Sequence, residues 1–315
     1  MRAAVVVDGA VRTTTVPDPS PGPNEVVVHV SGAGINAADL LQRVGLYPAP
    51  TGAPADIPGM ELAGVVDGVG SGVTEWALGD RVMAVVGGGA QAELAVVHAS
   101  HVLAVPDGTD LVSAGGFPEA FSTAHDALVT QGRLASGDRV LVTGAAGGVG
   151  TAAVQVAHRL GGTVVACARD PRHHDALRAL GADVTIVPDD VADAAPFDVV
   201  LELVGAQSLS AVQPHLARFA RVVVIGVGGG GGRVELDLLG VMTRRVTLTG
   251  STLRSRSIEE KAQVAAGVRR DVLPLLASGA VRVPIQATFP LEDVAAAYDA
   301  FGAGGKLGKI VLTTA

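Results

Sequence analysis

Ala145, Gly147 and Gly150 stand at the spacing A-x-G-x-x-G within the stretch from Val140 to Asp170. Small residues at these places permit a tight turn, let backbone amides approach a pyrophosphate, and let the next helix pack close to the preceding strand. Val140, Leu141 and Val142 read as a strand buried on both faces. Val149 to Leu160 reads as a helix whose positive end faces the turn, and Thr163 to Ala168 as a second buried strand. Strand, turn, helix and strand in this order point to a dinucleotide site. A glycine-rich turn in another α/β protein is the alternative.

The surrounding pattern supplies elements to position such a turn. Val140–Val142, Val164–Cys167, Val184–Val187, Val199–Leu203, Val222–Ile225 and Val246–Thr249 are six candidate strands. Helical stretches alternate with them, which implies a doubly wound parallel sheet. Asp170-Pro171 reads as a helix start and Gly181 as its stop. Before Ala120 the pattern is short apolar strands split by Gly, Pro and Asp: Glu25 to Val30, Leu62 to Val66, Arg81 to Val86 and Glu93 to Val97. After Arg256 come a helix over Ile258 to Ala277, a strand over Val283 to Phe289, a helix over Leu291 to Phe301 and a strand over Lys309 to Leu312. A six-stranded nucleotide domain has no room for these, so they return to the first domain. The expected division is 1–121 with 257–315, and 122–256. Gly228 to Gly232 reads as a flexible surface loop.

At 315 residues, two domains are the expectation. The net charge of −8 argues against a nucleic-acid partner, which needs a basic face. The single cysteine, Cys167, excludes an intramolecular disulfide and a cysteine-rich zinc lobe; it reads as a buried small apolar residue. No signal segment and no membrane span are visible, so the expected location is cytoplasmic.

Several segments together resemble the quinone oxidoreductase branch of the medium-chain dehydrogenases/reductases. They are Gly34-Ile35-Asn36-Ala37-Ala38-Asp39-Leu40-Leu41-Gln42-Arg43 with Gly45-Leu46-Tyr47, Gly59-Met60-Glu61-Leu62-Ala63-Gly64, Gly79-Asp80-Arg81-Val82, the A-A-G-G-V-G turn, and Gly308-Lys309-Ile310-Val311-Leu312. Pro118 to Ala124, Ser251 to Arg256 and Gly88 to Glu93 are similar to the tumour-suppressor-induced subgroup. The resemblance implies an α/β fold: a GroES-like, mainly β catalytic domain with an inserted doubly wound Rossmann domain, and a homodimer. Zinc-dependent relatives place Cys and then His-Glu at the metal, where this chain has Asn36 and Met60-Glu61, with Glu119 near the third ligand position. Asn and Met are poor zinc ligands, so no zinc is expected.

The second buried strand ends in Arg169, where NAD-preferring sites carry an acidic residue. Arg169 can bind a 2′-phosphate, with Arg172 and His173 close behind, so NADPH is expected over NADH. The alternative is a solvated Arg169 with Asp170 meeting the ribose. Val187-Pro188 departs from the Asn-Tyr of many relatives. The resemblance carries further cofactor contacts to Thr123, Ala146, Gly147, Gly148, Val149, Gly226, Val227, Leu253 and Lys306. Without a Lewis acid, an already electron-poor acceptor fits: a quinone, or an alkene conjugated to a carbonyl. Tyr47, Asn36 and Asp39 are the candidate catalytic hydrogen-bonding groups. Tyr47 has ordinary packing as its alternative, and Asn36 with Asp39 a helix cap. The readings are an NADPH:quinone reductase, an enoyl or enone reductase, or an NADPH-binding protein of low turnover.

Overall fold

Nearly continuous burial along Glu25–Gly34, with only His29 exposed, fits this strand's place at the centre of the first sheet in a computed structural model that describes residues 1–228 and 231–314. It pairs antiparallel with Glu61–Val69, Leu94–His98 and Lys309–Thr313. Arg81–Val85 and then Val102–Ala104 extend one side, and Ile285–Pro290 runs parallel to Lys309–Thr313 on the other. The last strands of the chain therefore do return to the first sheet. Val26, Val28, Val30, Leu62, Val66, Val82 and Val97 fill one core beneath Trp76. Ile35, Leu291, Val294, Tyr298, Ile310 and Leu312 form another.

The second sheet is six-stranded and parallel. Its spatial order is Val184–Ile186, Thr163–Cys167, Arg139–Val142, Phe197–Glu202, Leu216–Val224, Thr247–Gly250. In chain order that is 3-2-1-4-5-6, the doubly wound arrangement. All six strands expected from the apolar runs are present. Cys167 is buried in the second of them, as a small apolar residue would be.

The chain divides into Met1–Ser122 with Leu253–Ala315, here the catalytic unit, and Thr123–Thr252, the nucleotide unit. Leu253 to Arg256, assigned from the pattern to the nucleotide domain, groups instead with the catalytic unit. The reason is Arg254, whose guanidinium donates to the Gly87 carbonyl, the Tyr47 carbonyl and Gln42 Oε1. The single helix expected over Ile258 to Ala277 is two, Ile258–Asp271 and Leu273–Ala277. Pro274 has no N–H to continue the first, so the chain restarts with proline in the opening turn. Asp170 does cap the turn Pro171–His173, and Gly181 ends the next helix with φ of 110°. Gly228 and Gly231 are described, whereas Gly229 and Gly230 of the expected loop lie outside the described residues. Among the described residues no helix is long and apolar enough to cross a membrane.

The glycine-rich turn shows two different uses of glycine. A Cβ on Gly150 would lie 2.5 Å from the Gly144 carbonyl and 2.7 Å from the Ala145 backbone. A Cβ on Gly147 would meet nothing nearer than the Gly144 oxygen at 3.4 Å. Protein packing therefore demands the third small residue but not the second. Gly150→Ala should lower the unfolding free energy by about 1–3 kcal/mol, and Gly147→Ala by less than about 0.5 kcal/mol. Urea unfolding followed by circular dichroism measures both, and equal losses would contradict the distinction.

Candidate functional site

In the nucleotide unit the turn follows Arg139–Val142 and opens the helix Gly148–Arg159. Gly147 is its N-cap and has no side chain to cap it. Thr151 N–H is the first to reach back, to the Gly147 carbonyl at 2.8 Å. The N–H groups of Gly148, Val149 and Gly150 have no carbonyl four residues back inside the helix, so they form an anion-accepting end. Gly147 N–H itself closes the turn on Gly144, and Ala145 N–H ties it to the Cys167 carbonyl at 3.0 Å.

The end of the strand Thr163–Cys167 sorts the charged candidates. Asp170 accepts from Arg172 N–H at 3.0 Å and forms an ion pair with its guanidinium at 2.6 Å. Those contacts hold Asp170 down to about 2. Arg172 is thus committed to Asp170, and His173 is half-buried. Arg169 is exposed, and among the described residues its guanidinium has no partner.

Glu202 is a buried carboxylate that the sequence reading passed over. It accepts from Thr143 Oγ1, Val204 N–H, Gly205 N–H and Ser208 Oγ at 2.7–3.0 Å. It thereby fixes the turns after the first and fourth strands, at the carboxyl ends where such sheets bind ligands. Gly226 N–H bonds the Glu202 carbonyl, and the Leu203 carbonyl stands where a Gly226 Cβ would be. Val227 is half exposed and Thr123 is buried.

In the catalytic unit Asn36 precedes the helix Ala37–Arg43, and Asp39 returns a bond to its N–H at 2.8 Å. The Asn36 amide is spent elsewhere. Its Nδ2 donates to Glu61 Oε1 at 3.0 Å, and its Oδ1 accepts from Lys309 Nζ at 2.7 Å. Lys309 completes its three donors with the Ile35 carbonyl at 3.1 Å and Glu61 at 2.5 Å. The second Glu61 oxygen accepts from Glu119 N–H at 2.8 Å. Asn36, Glu61 and Lys309 are all buried.

Asp39 is fully buried and also accepts from Gly59 N–H at 3.1 Å and Gln91 Nε2 at 3.3 Å. Gln91 in turn accepts from the Tyr298 hydroxyl. Burial pushes the Asp39 carboxyl up to about 6, against the pull of the Asn36 and Gly59 amides and the Lys309 and Arg254 charges. Its contacts are those of a helix cap and of the Gly59 and Gln91 neighbours, the structural alternative expected for it. Both ends of the Asn36 amide are likewise engaged with neighbouring groups of the fold.

Tyr47 differs from both. It is half-buried, and the Arg254 guanidinium lies 5.2 Å from its ring centroid. Among the described residues its hydroxyl has no hydrogen-bond partner. Burial and the Glu119 charge keep it protonated, outweighing Arg254. The phenol is therefore a free hydrogen-bond donor. Lys306 stands 3.5 Å over the Phe301 ring, and burial together with Lys309 brings it down to about 8. Leu253 is buried and lines a small cavity of the catalytic unit with Leu103, Ser122 and Val264.

Residues 22–107 match the family model described as an alcohol dehydrogenase GroES-like domain, and 148–267 the one described as a zinc-binding dehydrogenase. A quinone oxidoreductase of Pseudomonas aeruginosa is 33% identical over 309 residues, covering 93% of this chain and 92% of that protein. The chain belongs to the quinone oxidoreductase family of the medium-chain dehydrogenases/reductases. As a family member it has the superfamily's GroES-like and Rossmann folds and is an oxidoreductase. It is also 42% identical over 206 residues to the polyketide synthase GfsB of Streptomyces halstedii, covering 63% of this chain but only 4% of that synthase. The solved structure of a cobalt- and zinc-bound thermostable alcohol dehydrogenase from Pyrobaculum aerophilum has a TM-score of 0.86 at 30% identity, covering 100% of this chain and 99% of that one.

The metal of that relative does not suit the residues present here. At the positions where the resemblance puts the metal of zinc-dependent relatives, the catalytic unit offers the Asn36 amide already bonded at both ends, the thioether of Met60 and the Glu61 carboxylate paired with Lys309, with Glu119 near the third ligand position. Zinc takes thiolate, imidazole or free carboxylate. Among the described residues no group of three His, Cys, Asp or Glu side chains could hold a metal.

An acid whose folded pKa is raised contributes stability that is fully present below its unfolded value and lost as pH rises through the folded one. Asp39 thus costs the fold about 3 kcal/mol between pH 4 and 7, and Asp39→Asn should remove that slope from pH-dependent thermal unfolding. Lys309→Met should cost about 3–5 kcal/mol by leaving Glu61 charged and unpaired, and adding Glu61→Gln should restore about half of it. A double variant no more stable than Lys309→Met would refute the pairing energetics.

Proposed function

We propose that the chain is a zinc-independent, NADPH-dependent quinone oxidoreductase acting on a quinone or a similarly electron-poor acceptor. The observation that carries this reading is the donor set beside Glu61. The ammonium of Lys309 already occupies the carboxylate and amide that would face a metal, so the chain has no Lewis acid there to activate an alcohol or aldehyde. When bound, the nicotinamide supplies the hydride. The chain's part is to hold the dinucleotide, orient the acceptor and stabilise the oxygen that gains charge.

The open amides of Gly148 and Val149 fit the pyrophosphate, with Ala146 and Gly147 shaping their approach. Arg169 fits a 2′-phosphate, because it alone of Arg169, Arg172 and Asp170 is uncommitted. The remaining contacts proposed are His173, Thr123, Gly226, Val227, Leu253 and Lys306. The Tyr47 phenol would donate to the acceptor oxygen. The reading includes a cytoplasmic homodimer formed through the edge strand Thr247–Gly250. Exposed Leu238, Leu239, Met242 and Leu248 in the nucleotide unit are the apolar surface such a contact would cover.

Initial rates with NADPH and NADH against a panel of quinones and enones test the whole reading. Wild type should oxidise NADPH with quinones. Tyr47→Phe should lower kcat by about ten- to a hundred-fold, the loss of one hydrogen bond to developing charge. Arg169→Ala should raise KM for NADPH by about ten-fold or more and leave NADH unchanged. Turnover with enones alone would move the assignment to alkene reduction. Tight NADPH binding without turnover would make the chain a binding protein.

A further inference from the structure

The catalytic unit carries a groove of about 750 Å³ that the cofactor and Tyr47 assignments do not use. Its size is that of a small-molecule site. One wall is the backbone of Gly87, Gly88 and Gly89, and another is the turn and helix start from Ser255 to Lys261. His98 and His101 face the same space.

The charge in the groove is positive, although the chain as a whole carries −8. Lys261 is half-buried, and among the described residues its ammonium has neither an ion pair nor a hydrogen bond. Burial and the Arg254 charge lower its pKa, while the Glu119 charge opposes them. Arg256 adds a second cation to the lining. The one carboxylate in the lining, Glu25, is occupied as a turn acceptor for Gly22 N–H at 2.8 Å.

The histidines contribute differently. His98 Nδ1 accepts from Ser100 N–H at 3.3 Å, which leaves Nε2 as the donor of the ring. His101 Nε2 is held by the Ile258 carbonyl at 3.0 Å, and burial keeps that ring neutral. The helix start is not itself the attraction, because Ser257 and Glu260 cap it reciprocally.

The groove is joined to the Tyr47 loop by one side chain. Arg254 donates from Nε to the Gly87 carbonyl at 2.7 Å and from Nη1 to the Tyr47 carbonyl at 3.0 Å. A molecule seated along the Gly87 wall therefore borders the loop that presents the free phenol.

We propose that this groove receives an acidic substituent of the acceptor, a carboxylate, sulfonate or phosphate on an aromatic or enone skeleton, with Lys261 as its ion partner. The substrate class is then an anionic electron-poor acceptor, an assignment that rests on the oxidoreductase reading above. His98, His101 and Arg256 flank the anion, and the glycine wall lets a flat ring lie close to the backbone.

Calorimetric titration of the protein without nucleotide tests this directly, using naphthalene-2-sulfonate and its neutral isostere naphthalene-2-sulfonamide. Wild type should bind the sulfonate about ten-fold more tightly, a preference that shrinks as salt is added. Lys261→Arg should keep the preference, and Lys261→Met should reduce it to within about two-fold. Equal binding of the two probes by wild type, or an undiminished preference in Lys261→Met, would overturn the proposal, and the wild-type comparison needs no variant to fold. In turnover assays the KM ratio between unsubstituted and sulfonated naphthoquinones should shift about ten-fold against the sulfonated compound in Lys261→Met. A sulfonate preference with no reduction of any quinone or enone would sink the catalytic reading and leave the groove standing. Quinone reduction indifferent to the acidic group would do the reverse.

Discussion

The buried ion pair between Lys309 and Glu61 is the constraint on which the catalytic unit depends. It joins the loop at Asn36, the strand beginning at Glu61, the helix beginning near Glu119 and the final strand of the chain. Two of those segments lie on opposite sides, in sequence, of the whole nucleotide unit. A buried pair is a weak source of net stability, since desolvation offsets most of the attraction. Its effect is on register. Each Lys309 proton has its own acceptor and both Glu61 oxygens are bonded, so a slip of the last strand by one residue would strand a charge in the core.

That closure decides what the neighbouring residues can do. Asn36 is drawn into the pair, its amide bonded at both ends. Asp39 is drawn the other way, into the helix start, Gly59 and the Gln91–Tyr298 chain. Two of the three polar residues that the sequence offers for catalysis are thereby held by contacts with the fold. Tyr47 escapes because Gly45, with φ of 74°, turns the chain after the helix and its backbone, rather than its hydroxyl, is what Arg254 grips.

The legible part of the chain was the part governed by local pattern. Apolar runs located the six strands of the nucleotide unit, and Asp170, Pro171 and Gly181 marked a helix by residues whose backbone preferences act at their own positions. Pro274 inside Ile258 to Ala277 was equally local, and apolar content masked it. What stayed hidden was long range. Lys309 shares a bond with a residue 273 positions away, and Arg254 with Gln42 212 positions away. The one local sign of the first is a lysine opening a strand whose next three residues are buried. Glu202, the last residue of Phe197–Glu202, was a similar sign, a charge at the end of an apolar strand.

Both units then obey one sorting rule. A buried polar group with every donor and acceptor matched is holding the fold, as Glu202 and Asp39 do. A polar group left unmatched near an opening has a cost that the fold does not recover, unless a ligand matches it. Among the described residues the Tyr47 hydroxyl, the Lys261 ammonium and the first amides of Gly148–Arg159 are such groups, and the Arg169 guanidinium, hydrated at the surface, is likewise without a protein partner. Each has a different chemical demand: a donor for an oxygen, two cations for anions, and a cradle for phosphate. Glycine at 147, which the protein's own packing would let carry a side chain, belongs with them. On the dinucleotide reading proposed above, the space it leaves is where a pyrophosphate would approach the backbone.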